Sequence, residues 1–258
     1  MRGKTLLRMY GENAATFLIF HALTSCNNAV QEVLLKRLKR FGNGGTKKWP
    51  AAQNIQVWLF PNFGKAQGFG EPDAVILADD NVFWIEVETT ADFQSGTTSS
   101  KHSLLQLWRF NLLQQALSKG VKEDRGARRI MGETIQFKEK KIVSRKASVR
   151  VGGHGMLKEK EVKTTLVNAG KKTSDNYVLL TVDKPRRSED SQSYSKTLES
   201  KTLEMGSDCP EQLSRLPIER CWYAYWKGDL APAFEKLCGS QLMLNGIDSK
   251  YVRIRRAG

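Results

Sequence analysis

Residues 71–88 read EPDAVILADDNVFWIEVE. Two runs of β-forming residues, 74–78 and 82–88, flank the polar turn Asp79-Asp80-Asn81, the pattern of two antiparallel strands joined by a tight turn. An even loop centred on Asp80-Asn81 sets Asp79 against Val82, Asp73 against Glu88 and Val75 against Glu86. Side chains alternate along a strand and cross-strand partners share a face, so Asp73, Glu86 and Glu88 all point the same way. A three-residue loop would throw Asp73 onto the opposite face.

Three acids gathered at a strand end repel one another unless a cation sits among them, and hard oxygen ligands select Mg²⁺ or Mn²⁺. Such an ion polarises a phosphoryl oxygen and lowers the pKa of an attacking water. Phe83 and Ile85 occupy the other face, as expected of a strand packed under a helix. The plainer reading of Glu86 and Glu88 is the solvent face of an edge strand. Glu71-Pro72-Asp73 upstream, the apolar strand itself and a following helix favour the metal site.

Around the hairpin, residues 11–24 and 28–41 have helical patterns. The second opens at Asn28 with Gln31 three residues on, a cap-like spacing, and ends at Gly42-Asn43-Gly44-Gly45. Residues 55–60 form a short β-rich run before a Pro/Gly-rich loop, 61–70. Residues 100–117 read as a helix with Leu105, Trp108, Leu112 and Ala116 on one stripe. Beyond Gly120 the chain turns basic and its apolar residues stand singly, which marks 119–172 as an insertion or flap. YVLLTV at 177–182 then restores a buried strand. Residues 186–208 are Ser-rich and repeat KTLE, a solvated linker within a single domain spanning 1–258. Cys221 to Trp226 and Pro232 to Leu237 supply a last strand and helix.

Pro72-Asp73 and Glu86-Val87-Glu88, in a helix-strand-strand-strand-helix-strand order over residues 10–118 and 177–182, resemble the restriction-endonuclease-like, or PD-(D/E)XK, nuclease superfamily. The resemblance implies an α/β fold with an αβββαβ core, a mixed central sheet flanked by helices, and a basic insertion. It also implies that Asp73 and Glu86 ligate the metal and that Glu12 on the first helix is the auxiliary acid; a Glu near a helix start is equally a favourable dipole partner. Glu88 departs from the pattern, standing where the family usually has Lys. A carboxylate there must act as ligand or general base, where a lysine would orient water or stabilise the phosphate. Lys101, near the start of the next helix, is the nearest lysine in sequence to restore that charge, and is otherwise an ordinary exposed residue. Gln106 is similar in placement to a helix glutamine of some family branches.

Charge points to the partner. The 41 Lys+Arg against 27 Asp+Glu leave +14, a surplus that attracts polyanions, with nucleic acid the default. A 258-residue chain with 40% hydrophobic residues can bury a real core, which excludes a disordered tail. The cysteines at 26, 209, 221 and 238 show neither zinc spacing nor a disulfide framework, consistent with a reduced cytoplasmic protein. Arg2, Lys4 and Arg8 before the apolar run 14–23, with Leu23-Thr24-Ser25-Cys26, have the look of a lipoprotein leader. Glu12, Asn13 and His21 interrupt that pattern, and a buried helix explains the run equally well. No stretch is long enough to span a membrane.

His21, His102 and His154 form no metal pair. Trp222, Tyr223, Tyr225 and Trp226 beside Arg220 and Lys227 suit either base stacking or a core strand. Arg253, Arg255 and Arg256 form a basic tail suited to phosphate contact. The expectation is a cytoplasmic, Mg²⁺-dependent nuclease of restriction or defence type, hydrolysing double-stranded DNA through Asp73, Glu86 and Glu88. A homodimer or two sequential nicks would serve double-strand cutting. The alternative is a non-catalytic nucleic-acid-binding protein on the same fold.

Overall fold

The computed structural model describes residues 6–7, 11–41, 45–61, 63, 71–89, 98–119, 121–124, 127–130, 133–135, 174–183, 217–239 and 252–253. Helix α1 (Gly11–Ser25) follows the short strand β1 (Leu6–Leu7). A π turn, Val30–Leu34, and a 3-10 turn, Leu35–Arg37, lead into β2 (Lys39–Arg40). Then come β3 (Ile55–Leu59), β4 (Ala74–Ala78), β5 (Asn81–Glu88) and α2 (Thr98–Lys119). Strands β6 (Val121–Asp124), β7 (Ala127–Ile130) and β8 (Glu133–Ile135) precede β9 (Ser174–Thr181), β10 (Cys221–Tyr225), α3 (Ala231–Cys238) and β11 (Val252–Arg253).

Six strands form one open mixed sheet in the order β2-β10-β9-β5-β4-β3. The meander β3-β4-β5 is antiparallel, β5-β9-β10 is parallel, and β2 closes the far edge antiparallel to β10. Two small antiparallel sheets, β1-β11 and β6-β7-β8, stand apart from it in pairing. The last of these lies in the basic stretch, as strands, and the remainder of 119–172 and all of the 186–208 linker are outside the described residues.

Alternation along β5 decides what covers each face. Phe83, Ile85 and Val87 join Ile76, Val178, Leu180 and Trp222 in the core under α1, whose Ala14, Ala15, Leu18, Ile19, Phe20 and Leu23 are buried there. Each such Leu, Ile or Phe contributes about 1.5–3 kcal/mol by leaving water. The apolar run at 14–23 is thus a core helix. The other face carries Val82, Trp84 and Tyr177 beneath α2, where Tyr177 Oη donates to Asn111 Oδ1 at 2.9 Å. Leu107, Phe110, Leu112, Leu113 and Leu117 are the buried apolar residues among the described side chains of α2, so of the expected stripe Leu112 is found inside. The side chains of Leu105, Trp108 and Ala116 lie outside those described.

The helix expected over 28–41 is corrected. Asn28 has a left-handed backbone (φ 60°) and is not a side-chain cap, and Gln31 Nε2 reaches Pro50 O at 3.3 Å. Leu38 turns extended (φ −60°, ψ 126°), and Lys39 and Arg40 pair with Tyr223 and Trp222. Tertiary partners outweigh helix propensity here: Lys39 Nζ meets Asp229 Oδ1 at 2.7 Å, and the Arg40 guanidinium donates to Glu219 O. The aromatic run is core, with Trp222, Tyr223 and Tyr225 buried in β10 and Trp226 buried just after it.

Cysteine usage also differs from the expectation. Cys26, just after α1, and Cys238, at the end of α3, form a disulfide across 212 residues of chain, a pairing invisible in a sequence where no two cysteines are close. Cys221 is free and buried. Among the described residues no helix is long and apolar enough to cross a membrane.

Candidate functional site

The hairpin turns one residue earlier than expected. Ala78 pairs with Asn81 and Ala74 with Ile85, so the two-residue loop is Asp79-Asp80. Asp79 adopts φ 47°, a left-handed conformation that Asp tolerates better than most residues. Its carboxylate accepts from the N–H groups of Gln53 and Asn54, both at 2.9 Å. These bonds anchor the turn at Asp79 and release Asn81 into the strand.

Moving an even turn by one residue shifts the register by two, so facing partners change while faces do not. The expected pairing of Asp73 with Glu88 and of Val75 with Glu86 is therefore corrected: Val75 faces Trp84, and Asp73 sits beside Glu86. Asp73 is fixed on three sides. Its N–H donates to Ile85 O at 3.0 Å, its carbonyl accepts from Phe60 N–H at 2.9 Å, and its Oδ2 accepts from Val87 N–H at 2.8 Å. Bonds to the residues on either side of Glu86 lock this carboxylate against the middle acid of the set.

Glu86 and Glu88 lie opposite Leu179 and Thr181 of β9, on the α2 face. Glu86 is half-buried and Glu88 buried, so neither is the solvent face of an edge strand; β5 is a central strand. The strand ends are tied beyond Glu88: Val182 N–H donates to Glu88 O at 2.8 Å and Lys227 N–H to Val182 O at 3.0 Å. Lys227 Nζ pairs with Asp183 Oδ1 at 2.6 Å, both partly exposed. Nothing local in the sequence ties Lys227, beside the aromatic run, to the hairpin.

Among the described residues no group of three or more His, Cys, Asp and Glu stands close enough to hold a metal ion. The donor chemistry nonetheless suits Mg²⁺, which is commonly held by one or two carboxylates and completes its shell with water. Asp73 and Glu86 stand side by side on adjacent strands, and Glu88 lies one strand repeat further on the same face.

Glu12 falls in the first turn of α1 and Lys101 in the first turn of α2, but their side chains lie outside those described, as does that of His102. Gln106 is half-buried, its Oε1 accepting from Arg109 Nη1 at 2.8 Å. His154, Arg255 and Arg256 are likewise outside the described residues, and Arg253 lies in β11.

A polar layer beneath α2 was not anticipated. Trp84 Nε1 donates to Asp175 Oδ1 at 3.0 Å, both buried. Burial pushes the Asp175 carboxyl above its usual range, opposed by the Trp84 hydrogen bond and by Arg220. Burial likewise raises Tyr177 and Cys221 well above their ordinary values. Compared with protein-family models, with curated proteins and with solved structures, the chain finds no match.

Proposed function

We propose that the chain is a divalent-metal-dependent nuclease that hydrolyses DNA phosphodiesters, on a restriction-endonuclease-like core. The observation that carries the reading is Asp73, held by three backbone-directed hydrogen bonds beside Glu86 on the face that also bears Glu88. Rigid carboxylates on adjacent strands are what a hard cation needs. The order of an antiparallel meander, a helix and a strand parallel to the last meander strand supports the fold assignment. The +14 charge supports a polyanionic substrate.

In this reading Asp73 and Glu86 hold Mg²⁺ or Mn²⁺, and Glu88 serves as a further ligand or as the general base for water. The bound ion would supply Lewis acidity toward the phosphoryl oxygen. Lys101, at the start of α2, is the lysine nearest in sequence to take the place of the family's lysine. Restriction or defence is the proposed role, with a homodimer as one arrangement for cutting both strands.

A second reading, a non-catalytic nucleic-acid-binding protein on the same framework, is favoured by one observation: an acid, Glu88, at the position of that lysine. Incubation with plasmid, linear and single-stranded DNA, with Mg²⁺ or Mn²⁺ and with chelator, separates the two. Metal-dependent cutting supports the enzyme, and salt-sensitive binding without cutting supports the second reading.

A further inference from the structure

Residues 36–48 carry Lys36, Arg37, Lys39, Arg40, Lys47 and Lys48 and no acid. The fold turns this run into a surface. Arg40 N–H donates to Gly45 O at 2.8 Å and Lys39 bridges to Thr46 as an antiparallel pair, so the returning 46–48 segment lies beside β2 at one edge of the large sheet. Thr46, Lys47 and Lys48 are all exposed there.

Neighbouring acids neutralise only part of the run. Lys36 pairs with Glu32 and Lys39 with Asp229, each at 2.7 Å. The Arg37 and Arg40 guanidinium groups donate instead to backbone carbonyls, of Glu32 and Glu219, which fixes them without cancelling their charge. Lys47 Nζ lies 4.0 Å from the Trp49 ring centroid and the Arg40 guanidinium 5.6 Å from that of Trp222, and the two indoles meet edge-on at 5.2 Å. Cations from both segments therefore border one indole pair. Among the described residues Arg37, Arg40, Lys47 and Lys48 have no carboxylate partner; the adjoining turn brings one exposed acid, Glu219, followed by Arg220. Like charges held together attract phosphates, which release counterions on binding. A bilayer would also want apolar anchors, but Phe41 and Trp49 are only 2% and 5% exposed. Fixed cations without such anchors suit the hydrated backbone of a nucleic acid.

We propose that this edge is a contact surface for duplex DNA, where Arg37, Arg40, Lys47 and Lys48 take backbone phosphates without reading sequence. It rests on the DNA substrate of the proposed function but shares no residue with the acids, so binding is measured in chelator, where cutting plays no part. Anisotropy of a short labelled duplex titrated with the full chain over a range of salt concentrations gives affinity and salt slope. Lys48→Gln should lower the slope by about one and the Lys47→Gln, Lys48→Gln double variant by about two, with at least about tenfold weaker binding near physiological salt. Both positions are exposed, so the fold should not suffer. Lys236→Gln, an equal loss of charge at an exposed position on α3, should leave the slope unchanged. Losses confined to the 47–48 variants support the surface even if the wild type never cuts, a result that would sink the nuclease reading alone. A double variant that binds with the wild-type slope overturns the surface even if the wild type cuts. Wild type that ignores the duplex but binds phosphatidylserine vesicles through Lys47 and Lys48 would assign the surface to a membrane and overturn the proposal equally.

Discussion

At the scale of single residues, buried acids separate structural from chemical roles. Asp175 is buried against Trp84, and burial holds its carboxyl above the usual range. The folded chain therefore keeps a proton where the unfolded chain has released it. Stability from this group is full below the unfolded value and falls as pH rises from there through the raised folded value. Asp175→Asn keeps an oxygen for Trp84 and carries no charge, so it should be more stable than wild type at neutral pH. The advantage should vanish near pH ~3, where both forms are neutral; urea midpoints at the two pH values check this. Asp73→Ala removes the acceptor of Val87 N–H in a part-buried setting and should cost about 1–2 kcal/mol in denaturant unfolding, in addition to any loss of activity. The common face of Asp73, Glu86 and Glu88 was legible because strand parity survives an even shift of the turn. Their facing partners were not, because the deciding bonds run from Asp79 to Gln53 and Asn54, some 25 residues away.

Elements followed local pattern wherever pattern and burial agreed. Helix α1, the three meander strands, α2, β9, β10 and α3 all lie close to where periodicity expects them. The failures come from distant partners. The 28–41 helix stops early because β10, Asp229 and Glu219 offer Lys39 and Arg40 better pairing than another helical turn would. The Cys26–Cys238 bond joins elements at opposite ends of the described chain, which spacing alone does not reveal. Since α3 packs Phe234 against Trp226 and the bond pins it beside α1, replacing Cys26 by Ser should cost about 2–4 kcal/mol. Unfolding of wild type with and without reductant should show the same gap, and no difference would mean that the bond adds nothing to the fold. The β4-β5 turn makes a milder test. Asp79→Ala places a less tolerant residue at φ 47° and frees two N–H groups, with an expected loss of about 1–2 kcal/mol by thermal or chemical unfolding.

For the whole molecule, charge and fold address different questions. A surplus of +14 supports affinity for a polyanion, and that affinity should fall steeply as salt rises, since each neutralised phosphate releases counterions. Charge does not make a nuclease. The central claim rests on the pair Asp73 and Glu86, narrowed from three acids to two that stand side by side with a third further along the same face. The most direct measurement is plasmid cleavage by wild type, Asp73→Ala and Glu86→Ala, each verified as folded, in Mg²⁺ or Mn²⁺ and in chelator. Wild type should cut, with chelator abolishing the cutting, and both variants should lose about a hundredfold or more, the scale of removing a group that stabilises transition-state charge. Wild type that binds DNA yet never cuts it, or variants that cut as fast as wild type, would contradict it.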